Sequence, residues 1–189
     1  MKLAAILPWF VFSLCFDSFA AHAVTCEDKT IPAINPDAIY VSDSKTGTVT
    51  DTRTGLMWKK CSEGQTWDGI ACTGTGGTFS WSAALSLGVK DRTGNYSDWR
   101  LPNIKELRSL VEECRIAPAI NDTLFPRTPN SYFWSSSPHL IYNYDSTWYV
   151  NFYDGFPAFD NRRYKFSVRL VRGGNSFDSM ANSTESKLQ

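Results

Sequence analysis

The chain has 189 residues, 19 Lys+Arg against 19 Asp+Glu, and a formal net charge of zero. That balance excludes binding to nucleic acid or to an acidic membrane face driven by global basicity. Hydrophobic residues make up 42 % of the chain and aromatics 14 %, and the length suits one domain behind a targeting segment.

Residues 1–23 read as a signal peptide. Lys2 supplies the positive n-region, Leu3 to Phe16 the apolar stretch, and Ala21-His22-Ala23 an A-x-A cleavage site. The apolar run falls short of the roughly 20 residues a spanning helix needs, so the expectation is a protein that does not span the membrane. It would be secreted, periplasmic or at the cell surface after cleavage near Ala23. Cleavage removes Cys15 and leaves Cys26, Cys61, Cys72 and Cys114. An even count in an exported chain reads as disulfides with three connectivities. The expected pairing is Cys61–Cys72, closing a short Gly-rich loop, and Cys26–Cys114, pinning the N-terminal segment to a helix end. A zinc site competes poorly, because no C-x-x-C occurs and His139 is the one histidine left.

Residues 24–46 form a lead-in, irregular from Val24 to Asn35 and punctuated by Pro32 and Pro36. Thr48-Val49-Thr50 and Leu56-Met57-Trp58-Lys59 are predicted strands around a turn at Thr54-Gly55. Cys61 to Thr78, with five glycines, is predicted as a loop. A short helix follows over Trp81–Leu87, capped by Ser80. A second is capped by Asn103, with Glu106 as its capping-box partner and an apolar stripe of Ile104, Leu107, Leu110 and Val111. The pattern then turns to strands. Thr147 to Tyr153 alternates about Trp148, Val150 and Phe152, and Asp154-Gly155 is a hairpin turn signal. Phe166, Val168 and Leu170 alternate with Lys165, Ser167 and Arg169, which predicts one buried and one wet face. Residues 175–189 lose apolar periodicity and are predicted as a mobile tail. Periodicity alone supports a single α+β domain.

Several motifs recur in a specific order: Thr54-Gly55-Leu56-Met57-Trp58, Asp98-Trp99-Arg100-Leu101-Pro102-Asn103-Ile104-Lys105-Glu106-Leu107, Phe133-Trp134-Ser135-Ser136-Ser137, Trp148-Tyr149-Val150-Asn151-Phe152 and Val168-Arg169-Leu170-Val171-Arg172-Gly173-Gly174. Over residues 47–174 this set resembles the bacterial Lcl C-terminal domain family, also called domain of unknown function 1566. The resemblance implies a C-type-lectin-like fold, related to that of the formylglycine-generating enzymes. Two helices, short antiparallel strands, long loops and two disulfides fit that expectation.

The formylglycine-generating relatives work through cysteine and metal chemistry in their C-terminal half, and this chain has no cysteine after Cys114. Lectin calcium triplets are absent. Where family members carry an Asp-Gly-Asp-Gly-type turn, Ser42-Asp43-Ser44-Lys45-Thr46-Gly47 offers one acid, so no metal or other cofactor is expected. His139 lies in Ser137-Pro138-His139-Leu140 without a nucleophile elbow, and the expectation is a binding module, not an enzyme. Thirteen of the 22 aromatics after Ala23 lie between Tyr132 and Phe166. Trp134, Trp148, Phe152 and Phe166 are assigned to the core. Tyr142, Tyr144, Tyr149, Tyr153, Phe156 and Phe159 remain for the surface, where tyrosine suits sugar stacking and protein recognition alike. Arg162, Arg163, Lys165 and Arg169 are the expected outward patch for sulfated or carboxylated polymers, while Arg172, on the opposite strand face, is expected to pair with an acid. The expected ligand-binding set is thus Tyr142, Tyr144, Tyr149, Tyr153, Arg162, Arg163, Lys165 and Arg169. The resemblance to an adhesin domain family linked to sulfated glycans points to polysaccharide binding in adhesion. The alternative is a protein-recognition or assembly component of a surface structure or pilus, with self-association left open.

Overall fold

A computed structural model describes residues 26, 32–140 and 145–174. The expected signal peptide and C-terminal tail lie outside the described residues.

Chain order gives strands β1 (Tyr40–Asp43), β2 (Thr48–Asp51), β3 (Leu56–Lys59), β4 (Thr66–Trp67) and β5 (Cys72–Thr73), helices α1 (Trp81–Lys90) and α2 (Ile104–Arg108), then β6 (Tyr132–His139), β7 (Ser146–Asn151), β8 (Pro157–Asn161) and β9 (Val171–Gly173). The strands form an antiparallel β1-β2-β3-β9 sheet, a small β4-β5 ribbon and an antiparallel β6-β7-β8 sheet. The predicted hairpin partners β2 and β3 are present. The sheet starts earlier than Gly47, however, because β1 pairs with β2 from Tyr40↔Asp51 to Asp43↔Thr48.

The molecule is mixed α and β, with two helices, antiparallel sheets and two disulfides, Cys26–Cys114 and Cys61–Cys72, in the expected pairing. The loop expected over Cys61–Thr78 contains the β4-β5 ribbon, folded back by the second bridge.

The two helices start differently. Asn103 accepts from the Glu106 amide at 2.9 Å, and the Glu106 carboxylate accepts from the Asn103 amide at 2.8 Å, completing the predicted capping box. α2 is short, yet the whole expected stripe is used: Leu107, Leu110 and Val111 are buried and Ile104 packs against them. Asn103→Ala should cost about 1 kcal/mol in a urea melt, the usual loss for an N-cap. At α1, Ser80 has extended backbone angles but its side chain caps no amide; its hydroxyl lies 3.3 Å from that of Ser82. The helix also runs past Leu87 to Lys90. It crosses a buried Gly88 set against the Trp99 backbone, where any side chain would strike the Trp99 carbonyl.

The Asp98-to-Leu107 signature is a structural clamp. Arg100 grips Glu106 with two bonds at 2.8 and 2.7 Å and donates to the Gly173 carbonyl at 3.1 Å. The Arg100 and Val171 backbones exchange hydrogen bonds at 2.9 and 3.0 Å. These contacts tie the start of α2 to β9. Arg172 is paired as expected, 2.7 Å from Asp98, with its guanidinium 3.6 Å above the Tyr96 ring.

Two apolar clusters fill the fold. One holds Trp58, Leu107, Phe125, Phe133, Val150 and Phe152 among others. The second gathers Ala84, Trp99, Leu101, Trp134, Phe166, Val168 and Leu170. The predicted wet face of Lys165, Ser167 and Arg169 is overturned beyond Lys165, since every residue from Phe166 to Val171 is buried. Phe166 bridges to Phe79 on one side, and Ser167 bridges to Phe133 on another. The segment is threaded through the interior and has no solvent side.

Candidate functional site

An aromatic assembly, partly exposed, is built on one face of the β6-β7-β8 sheet. Trp134 of β6 lies opposite Tyr149 of β7, and Tyr132 opposite Asn151, which puts all three rings on the same face. Phe166 is the hub. It lies 4.1 Å from Trp134, 5.1 Å from Tyr132 and 5.1 Å from Tyr149, and near parallel to Tyr164 at 6.3 Å. Tyr132 and Tyr149 are themselves 5.0 Å apart. Trp134 forms the buried floor, with its indole N–H donating to the Phe79 carbonyl at 2.8 Å. Tyr132 and Tyr164 are exposed at 44 % and 56 %, and Tyr149 is half-buried.

Burial, then the Tyr132 hydroxyl and the Asp160 and Asp154 carboxylates, raise the Tyr149 pKa. Its hydroxyl therefore stays protonated and able to donate at neutral pH.

The cations arrive on the adjoining segment. Phe79 and Phe166 exchange backbone hydrogen bonds at 2.8 and 3.0 Å, and the Trp81 amide donates to the Arg162 carbonyl at 3.1 Å. This antiparallel run sets the Arg162 guanidinium over the Trp81 indole, 4.4 Å from its centroid. Arg162 makes no ion pair among the described residues, and its Nε is buried without a partner. Arg163 is almost fully exposed, 3.8 Å from Asp145. Lys165 is exposed beside Tyr164. A stacked arginine presents its donor fork with less entropy to lose when a planar anion arrives.

Of the expected set, Tyr149 joins the Phe166 cluster, Arg162 lies over Trp81, and Arg163 and Lys165 are exposed on the adjoining segment. Tyr142 and Tyr144 lie outside the described residues. Tyr153 is exposed in the turn after β7, where its carbonyl accepts from Ala117, away from the Phe166 cluster. Arg169 is no part of a patch. It is fully buried, donates to the Lys59 and Lys60 carbonyls, to Thr128 Oγ1 at 2.7 Å and to Ser62 Oγ at 3.4 Å, and lies 4.9 Å from the Phe125 ring centroid. Burial pulls its pKa down to about 9, opposed by the charge of Glu63, and it stays a cation at neutral pH. Trp134, Phe152 and Phe166 are core as expected. Trp148 is only half-buried and lines a surface groove. Sequence reasoning missed Trp81, Tyr132 and Tyr164. Tyr132 was accessible from the period-2 relation to Trp134.

The serine motif has structural work. Ser135 Oγ donates to the Trp148 carbonyl at 2.7 Å, and Ser137 Oγ accepts from the Ile104 amide at 3.0 Å. His139 is buried, stacked on Phe159 at 3.7 Å with 4° between the rings. Asp43 accepts from the Lys45 and Thr46 amides at 2.8 and 3.3 Å, an Asx turn that explains its position. Glu112 lies beside Cys26 and Cys114, but both sulfurs are bound in the disulfide, so the trio has no thiolate to offer a metal. Among the described residues no helix is long and apolar enough to cross a membrane.

The sequence model of one family, described as the Lcl C-terminal domain, matches residues 47–172, more than half of the chain. No curated protein matches this sequence.

Proposed function

The chain belongs to the Lcl C-terminal domain family, and from that premise we propose that it is an exported binding module for anionic polysaccharide, acting in adhesion. The observation that carries this reading is the juxtaposition of the Tyr132–Tyr149–Tyr164 cluster with Arg162, whose guanidinium lies over Trp81 and has no acid partner among the described residues. Flat, half-covered rings suit the apolar face of a pyranose, and the arginine fork suits a sulfate or carboxylate. A C-type-lectin-like fold and action without a metal belong to the same proposal. Two disulfides support placement outside the cytoplasm.

The test is an array of sulfated and neutral polysaccharides probed with oxidised protein, with calcium and with EDTA. Retention on the sulfated members should fall as salt rises and be indifferent to EDTA. Changing Arg162, Arg163 and Lys165 together to Ser should weaken it roughly tenfold or more, from the loss of three charge contacts. Intact binding by that triple variant removes the patch from the site. A blank array from folded protein favours protein recognition in a surface assembly instead.

A further inference from the structure

A second surface lies on the opposite face of the same sheet. α2 packs over β6 and β7, and the step down from the helix towards β8 is a groove of about 390 Å³. Its walls are Ile104 and Trp148 on one side and Pro157 on the other, with Lys105 and Arg108 at the rim. Both cations are exposed and neither forms an ion pair among the described residues. The groove continues past Arg108 and Pro157 into a hollow of about 410 Å³ beside Phe156, which is 71 % exposed.

Among the described residues β8 is an edge strand of its sheet. The Asn151 amide donates to the Phe156 carbonyl at 2.9 Å, and the register pairs Tyr149 with Ala158 and Thr147 with Asp160. In antiparallel alternation these are the hydrogen-bonded pairs, so Pro157 and Phe159 direct their backbone groups off the edge. Pro157 has no N–H, and the Asn161 amide is taken by the Asp160 carboxylate at 2.8 Å. Phe159 therefore offers an outward N–H and C=O, and Pro157 a C=O. The Phe159 ring is opposite Trp148 on the groove face and is braced by His139. An edge of this kind is a template for another strand, and here a side-chain groove with a cationic rim runs beside it.

We propose that the β8 edge and the α2 groove together form a strand-addition site for an extended segment of another polypeptide whose groove-facing side chains, every second residue, include both apolar and acidic ones. Its backbone pairs with Pro157 and Phe159, its apolar side chains fill the step beside Trp148 and Ile104, and its carboxylates meet Lys105 and Arg108. Free backbone donors and acceptors select a peptide, and the unpaired cations select its charge. The site is separate from the tyrosine face and does not depend on that face binding glycan.

The probe is a set of end-capped, dye-labelled octapeptides with Ser at one set of alternate positions and, at the other, Val, Leu or Phe interleaved with Glu, Lys or Ser, read by fluorescence polarisation. Glu peptides should bind at least tenfold more tightly than Lys peptides. K105E/R108E should invert that order, and backbone N-methylation of the alternate residues should abolish binding. The exposed positions make this variant safe for folding, and the Glu-to-Lys swap in the peptide tests the same point on the unaltered protein. Four outcomes overturn the proposal: no series binds folded protein, Glu and Lys peptides bind equally, N-methylated peptides bind as well as their parents, or sedimentation shows that a second copy of the chain covers this edge.

Discussion

Arg169→Ala lowers stability by about 3–5 kcal/mol, the scale for truncating a large, fully buried side chain and leaving several buried acceptors without a donor. In a urea melt the midpoint should fall with an unchanged slope, and the thermal midpoint should drop by roughly 10 °C. The reason is positional. The guanidinium is enclosed by the carbonyls of Lys59 and Lys60 and the hydroxyls of Ser62 and Thr128, and truncation leaves these acceptors buried without a donor. It ties the end of β3 and the segment that carries Cys61 to the buried run beyond Phe166. Arg169→Lys should recover less than half of the loss, because a point ammonium cannot reproduce a fork that reaches both backbone and hydroxyl acceptors. Arg163→Ser and Lys165→Ser, on exposed side chains four to six residues away, should stay within about 0.5 kcal/mol of the parent. If Arg169→Ala melts like those two, the buried network contributes nothing and the residue belongs back in a surface patch.

The contrast shows what was legible in the sequence. Features decided within a few residues read correctly: the β2–β3 hairpin at Thr54-Gly55, the Asn103–Glu106 capping box, and the short-loop disulfide. Arg172 was also legible, since strand alternation sets it opposite Arg169. Alternation misled at Arg169 itself, because it distinguishes two faces and not whether either meets water. Here Phe79 lies against one side of the segment and Phe133 against another, and both partners are remote in sequence. β1 was missed for the opposite reason. Only Tyr40 of its four residues is buried, so it carries no periodic signal. The tyrosine face was half legible. Tyr149 and the cations are in one stretch of chain, but their assembly around Phe166 also needs Tyr132 from β6 and Trp81 from α1, whose pairing no local pattern encodes.

Breaking Cys26–Cys114 by double Ser substitution should cost about 4–5 kcal/mol on chain-entropy grounds, for a sequence separation of 88. The matching change at Cys61–Cys72, separation 11, should cost about 3. The long bridge is not alone in holding the lead-in. Glu112 is fully buried and accepts from the Ile34 and Asn35 amides at 3.0 and 2.9 Å, while Asn35 Nδ2 donates to the Val111 carbonyl. The covalent tie therefore acts mainly on the unfolded chain, and the carboxylate acts on the folded one. Amide hydrogen exchange separates the two roles. In C26S/C114S the Ile34 and Asn35 amides should open through global unfolding, with protection falling only as far as stability does. Glu112→Gln supplies one acceptor where two are used, so those two amides should exchange faster than the core even with the bridge intact. Combining the changes should be non-additive by about 0.5–3 kcal/mol, as for other residues that share a contact. Local exchange at Ile34 on losing the bridge alone would reverse the assignment. It would also make the hollow that Ile34 lines beside Phe156 a redox-dependent part of the groove.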